Sequence, residues 1–182
     1  MRWEDLFADL ESQWDAEQRR ELDAEVADRT RRERATVGLY ERLSAARGEQ
    51  VDAVLASGVR VSGPVADVGD GWVLLSDPRP SAQPMVVPFG ALVSLVGLRP
   101  RAAGQGMGRS FGLGYVLRGL SRDRAVVAVT DLTGAVTTGT IDAVWSDAFE
   151  LAEHAADLPR RPENVTGRRV VPFTALVLVR PA

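Results

Sequence analysis

The sequence predicts a mainly β protein with helices: two tandem five-stranded small barrels, each preceded by a helix, behind an N-terminal helical arm. Three observations predict it. A segment of about 45 residues recurs once. Each copy carries glycines and a proline at matching places. The chain before the first copy is rich in acids and has helical rather than alternating apolar spacing.

The repeat is read directly. Ser57-Gly58-Val59-Arg60-Val61-Ser62-Gly63-Pro64-Val65-Ala66-Asp67-Val68 aligns with Thr133-Gly134-Ala135-Val136-Thr137-Thr138-Gly139-Thr140-Ile141-Asp142-Ala143-Val144, an offset of 76. Val86-Val87-Pro88-Phe89-Gly90-Ala91-Leu92-Val93 aligns with Val170-Val171-Pro172-Phe173-Thr174-Ala175-Leu176-Val177, an offset of 84. The second copy therefore carries 8 extra residues between its third and fourth strands.

The elements follow in chain order. Residues 1–34 read as an acidic helical arm, with Trp3, Phe7, Leu10 and Trp14 on one face. Residues 35–98 form the first unit. Val37, Leu39, Tyr40 and Leu43 fit a helix that stops at Gly48. Val51-x-Ala53-x-Leu55 and Val59-x-Val61-x-Gly63-x-Val65 alternate as two strands around the turn at Ser57-Gly58. Asp70-Gly71 is a hairpin signal leading to Val73-Leu74-Leu75. Pro88 has no N–H for a ladder and ends a fourth strand, and a one-turn link leads to a fifth. Mid-strand Gly63 and Gly139 mark sharp bends. Short bent strands are expected to hide their edges by closing into a barrel. Residues 99–108 read as a linker, and 109–182 as the second unit. There Phe111, Leu113, Tyr115, Val116, Leu117 and Leu120 have helical spacing despite three glycines.

A helix followed by five bent strands, with Gly58, Gly63, Val65, Val68, Leu75 and Gly134, Gly139, Ile141, Val144, Leu151 in one outline, resembles the Sm/LSm superfamily. The Val-Val-Pro-Phe-x-Ala-Leu-Val segment is closer to its divergent bacterial members. The resemblance implies an RNA- or ribonucleoprotein-associated module. In the family the fourth strand of one unit pairs with the fifth of the next to form rings, and two units in one chain could make one such junction internally; against this, Pro88 and Pro172 lack a donor near the end of the needed edge, and the linker of residues 99–108 can hold the barrels apart. The uridine pocket does not carry over. Where that pocket needs Asp and Asn, this chain has Gly69-Asp70-Gly71-Trp72 and Ser146-Asp147-Ala148-Phe149. Where it needs Arg-Gly, the chain has Pro88-Phe89 and Pro172-Phe173.

Composition narrows the function classes. The 182 residues contain no cysteine, which excludes a disulfide framework, a thiolate metal site and a cysteine nucleophile. The start lacks a signal-peptide core, and the longest apolar run, Val170 to Val179, is too short to span a bilayer. A cytoplasmic protein without a membrane role is expected. All 22 basic residues are arginine. Residues 1–28 hold ten acids against three arginines, a charge of −7; with −3 for the whole chain, residues 29–182 carry +4.

On that basic body, Arg99, Arg101, Arg109, Arg118, Arg122 and Arg124 form one candidate phosphate-binding group. Arg160, Arg161, Arg168 and Arg169 form a second, in the longer loop of the second unit. The alternative is solvated charge balancing the acidic arm. Trp72 and Trp145 are candidate base-stacking residues or, alternatively, caps on the barrel ends. Trp3, Phe7, Leu10 and Trp14 either grip a partner or dock on the protein's own barrels. Glu17 and Glu21 interrupt that seam, so it is too short for a coiled coil by itself; a homodimer through the arm is favoured over a ring. Glu150, Glu153, His154 and Asp157 are weak metal candidates, and Gly104-x-Gly106-x-Gly108 is no dinucleotide fingerprint. No catalytic set is legible. The expectation is a non-enzymatic binding module without cofactor or metal, associated with RNA or a ribonucleoprotein. The alternative is a protein-interaction scaffold.

Overall fold

A computed structural model describes residues 3–76, 84–103 and 111–182; within 3–16 only Trp14 is described beyond the backbone. The chain forms two compact units, Met1–Gly38 and Leu39–Ala182. The first is one helix, α1 (Trp3–Ala35). Its described side chains are almost all exposed, Trp14, Leu22 and Val26 included. Ion pairs one turn apart, Arg20–Glu17, Arg29–Glu33 and Arg32–Asp28, line its surface.

The second unit is a mainly β body with two helices. Its elements are α2 (Leu39–Ala45), β1 (Gln50–Leu55), β2 (Arg60–Gly69), β3 (Trp72–Leu75), β4 (Met85–Pro88), β5 (Leu92–Val96), α3 (Leu113–Arg122), β6 (Val126–Asp131), β7 (Val136–Val144), β8 (Ala148–Glu153), β9 (Gly167–Pro172) and β10 (Leu176–Pro181). All ten strands pair antiparallel in one sheet, in the order β5-β1-β2-β3-β4-β10-β6-β7-β8-β9.

The repeat holds at the level of register. Gln50 faces Pro64 as Val126 faces Thr140. Val65 faces Leu75 as Ile141 faces Leu151, and each pair is followed by a bulge, at Ala66 and at Asp142. Trp72 faces Pro88 as Ala148 faces Pro172. β2 pairs with β1 through residues 60–64 and with β3 through residues 65–69, so the strand serves two neighbours in succession. Gly63 sits at that change-over. A Cβ built on it would lie 1.9 Å from the Ser76 carbonyl oxygen; at Gly139 it would lie 2.1 Å from that of Ala152. Gly58, Gly71 and Gly134 take positive φ at the turns, where glycine is favoured.

Two expectations need correction. The strands do not close on themselves, because β4 pairs with β10 of the other half rather than with β5, leaving an open sheet with β5 and β9 at its ends. Nor are the halves separate bodies. Trp72 and Val86 of the first half pack with Leu117, Val127 and Val179 of the second, while Val177 and Leu178 pack in the first half's core. Pairing β4 with β10 removes two strand edges from water and lets the two cores share side chains. The Gly104–Gly108 segment of the linker lies outside the described residues.

Candidate nucleic-acid interface

The arginines divide into engaged and open sets. In the second group, Arg160, in the loop before β9, donates through Nε to Asp142 of β7 at 2.6 Å, with its Nη2 on the other carboxylate oxygen. Both side chains are largely buried, and these hydrogen bonds hold the Asp142 carboxyl below its ordinary value. Arg169 donates to Glu153 at 2.7 Å, and Arg168 lies 3.5 Å from Glu150. Arg168 and Arg169 on β9 are matched to acids on β8, because neighbouring strands place positions across the sheet within reach of one another, and Arg160 reaches Asp142 on β7 from the loop before β9. They form a structural charge layer. Arg161 is exposed, as Arg168 and Arg169 are, and lies outside that layer.

In the first group, Arg99 pairs with Glu49 at 3.5 Å. Arg101, Arg118 and Arg124 are exposed. Arg122 lies 3.7 Å from Asp123 in full solvent, an ion pair of little energetic weight. Arg109 lies outside the described residues. The first group is therefore the more open one, and it centres on α3.

The tryptophans also part. Trp72 is 5% exposed, and its indole N–H donates to the Phe111 carbonyl at 2.8 Å. It belongs to the core between the halves and has no free face for a base. Trp145 is 59% exposed, at the turn between β7 and β8. Its repeat partner is Gly69, against which the Trp72 ring is laid.

The sequence groups Phe111, Leu113, Tyr115, Val116, Leu117 and Leu120 by helical spacing, and α3 begins at Leu113. Leu113, Val116, Leu117 and Leu120 do pack inward. Phe111 and Tyr115 do not: they are 42% and 57% exposed, with ring centroids 4.5 Å apart. A signal for this is the spacing Phe111, Tyr115, Arg118, Arg122. On α3 this places Tyr115, Arg118 and Arg122 in one stripe opposite the four aliphatics, and Phe111, before the helix, lies against Tyr115.

The remaining candidates resolve simply. His154 is buried, with Nε2 2.8 Å from the Thr140 hydroxyl and Nδ1 2.8 Å from the Ala155 carbonyl. Glu150 and Glu153 face Arg168 and Arg169, and among the described residues no three metal-ligating side chains cluster. Trp14 is exposed on α1; the side chains of Trp3, Phe7 and Leu10 lie outside the described residues. Among the described residues no helix is long and apolar enough to cross a membrane. No known protein family, curated protein or solved structure matches the chain.

Proposed function

We propose that the protein is a tandem Sm-like binding module, associated with RNA or a ribonucleoprotein, rather than an enzyme. The observation that carries the reading is the duplicated five-strand order, with the fourth strand of the first copy against the fifth of the second. An open arginine group supports an anionic partner, although residues 39–182 as a whole carry only +1, 15 arginines against 14 acids. The acidic arm works against that partner. Deleting residues 1–28 removes a charge of −7 and is expected to strengthen binding of short single-stranded RNA, more at 50 mM than at 200 mM salt. The test is fluorescence anisotropy with both forms, after checking the 260/280 nm absorbance ratio of protein purified without nuclease. Binding by neither form leaves the scaffold reading in its place.

A specific observation favours self-association as a second reading. Val86 and Val179 face each other in the β4–β10 junction and are buried. Their repeat partners, Val170 on β9 and Leu95 on β5, lie at the two free ends of the sheet, where Val170 is 64% and the neighbouring Val93 66% exposed. A second copy offering β5 to β9 repeats the internal junction head to tail. Light scattering on Val170→Glu and on Trp3→Ala/Trp14→Ala assigns the interface. Loss of the oligomer in the first variant places it at the sheet ends, and loss in the second places it on the arm. A monomeric wild type removes both.

A further inference from the structure

We propose that the outward face of α3 is the binding surface for single-stranded RNA, with Phe111 and Tyr115 stacking on bases and Arg118 and Arg122 holding phosphates. The inference rests on the RNA reading above and specifies where the strand lies.

At about 100° per residue, positions 115, 118 and 122 of α3 fall within an arc of roughly 60° and span about 10 Å along the helix, and Phe111 precedes it. Leu113, Val116, Leu117 and Leu120 occupy the opposite side and are packed in the core. The stripe is therefore fixed outward by the burial of its reverse. Phe111, just before the capping Gly112, already lies against Tyr115 in a tilted stack. Both rings are accessible, which is uncommon for large aromatics that have no partner to meet.

Glycine supplies the second line of argument. Gly114 and Gly119 lie inside α3, where glycine is among the poorest helix formers. Positive φ does not require glycine at 119, and a Cβ there would meet nothing within 4 Å. Neither backbone nor packing explains it. It leaves bare backbone beside Tyr115 and Arg122, the condition under which a ligand approaches a helix closely. At Gly114 a Cβ would lie 3.4 Å from the Arg118 guanidinium and 3.6 Å from the Phe173 ring, ordinary contact distances, so packing does not require glycine there either.

The occupant follows from the mixture. Residues 111–125 hold Arg118, Arg122 and Arg124 against Asp123 alone, a charge of +2. A single strand brings flat π-faces for the rings and a regular row of phosphates for the guanidinium groups. An acidic peptide satisfies only the second half. The matched arginines of β9 lack such an aromatic accompaniment and are already held by acids.

The test uses the full chain and fluorescein-labelled 12-nucleotide poly-U and poly-A RNA, with anisotropy at 50 and 200 mM salt. Tyr115→Ala is expected to weaken binding about tenfold. Arg118→Ala/Arg122→Ala is expected to flatten the log–log salt slope by roughly 1.4, about 0.7 for each phosphate that is no longer neutralised. Gly119→Ala is expected to raise the unfolding midpoint while weakening binding, a split that a purely structural glycine does not give. If these variants bind as the wild type does and Arg161→Ala abolishes binding, the RNA lies on the loop before β9. That overturns the inference and leaves the RNA reading standing. If the wild type binds neither RNA, both fall.

Discussion

Gly139→Ala is expected to destabilise the protein by at least about 3 kcal/mol, nearly as much as Gly139→Val. The added Cβ would stand 2.1 Å from the Ala152 carbonyl oxygen on the neighbouring strand β8. That atom belongs to a paired backbone and moves only if the β7–β8 ladder shifts with it. The clash is complete at the first carbon, so the further methyl groups of valine add little. The sequence alone marks Gly139 as a sharp bend, where a valine side chain must fit a bent strand facing a packed core. Gly63→Ala repeats the case in the first half, 1.9 Å from the Ser76 carbonyl. Urea unfolding of both variants, followed by circular dichroism, is the measurement. A Gly139→Ala protein within about 1 kcal/mol of wild type removes the backbone explanation.

The match of the two glycines shows what is legible in the sequence and why. Turn glycines, strand-ending prolines and alternating apolar residues each act within a few residues of themselves, so the pattern stands in the sequence. Two copies make it legible twice, and the offsets of 76 and 84 carry through to the registers of the paired strands. The choice of partner for β4 is another matter. Its residues Met85 to Val87 are apolar on both faces, which fits any buried pairing. The junction with β10 is suggested only by the resemblance, and closure of each barrel is the local alternative. Two edges joined once between halves bury more apolar surface than either does alone.

The site is less legible than the fold. Arg160, Arg168 and Arg169 read as an open basic group because their acids, Asp142, Glu150 and Glu153, stand 16 to 18 residues away in sequence and become neighbours only when β9 and the loop before it fold against β8 and β7. Phe111 and Tyr115 group with four aliphatics by helical spacing, a set too wide for one face. Splitting it by angle around the helix separates the outward Tyr115 from the inward Leu113, Val116, Leu117 and Leu120 and brings Arg118 and Arg122 into line, while Phe111 lies before the helix and meets Tyr115 by its ring.

Trp72→Ala is expected to cost about 3–5 kcal/mol, and to do so for both halves together. Trp72 belongs to β3 of the first half, yet its ring packs in the core cluster that holds Leu117, Val127 and Phe149 of the second. Its removal leaves a cavity at the seam beside Val86 and Val179, where β4 meets β10. Since each core contains side chains of the other half, neither is expected to unfold alone, and the variant should keep one transition at a lower urea midpoint. Trp72→Phe separates packing from hydrogen bonding. Phe keeps most of the ring volume but not the indole N–H. The Phe111 carbonyl still accepts from the Asp70 amide at 2.9 Å, so no buried acceptor is stranded. The cost of Trp72→Phe is therefore expected to stay near about 1 kcal/mol for the missing hydrogen bond, plus what the smaller ring leaves unfilled. Two resolved transitions in Trp72→Ala, with only the lower one displaced, would mean that the halves carry independent cores. The seam would then join finished domains, and the shared side chains would count for little.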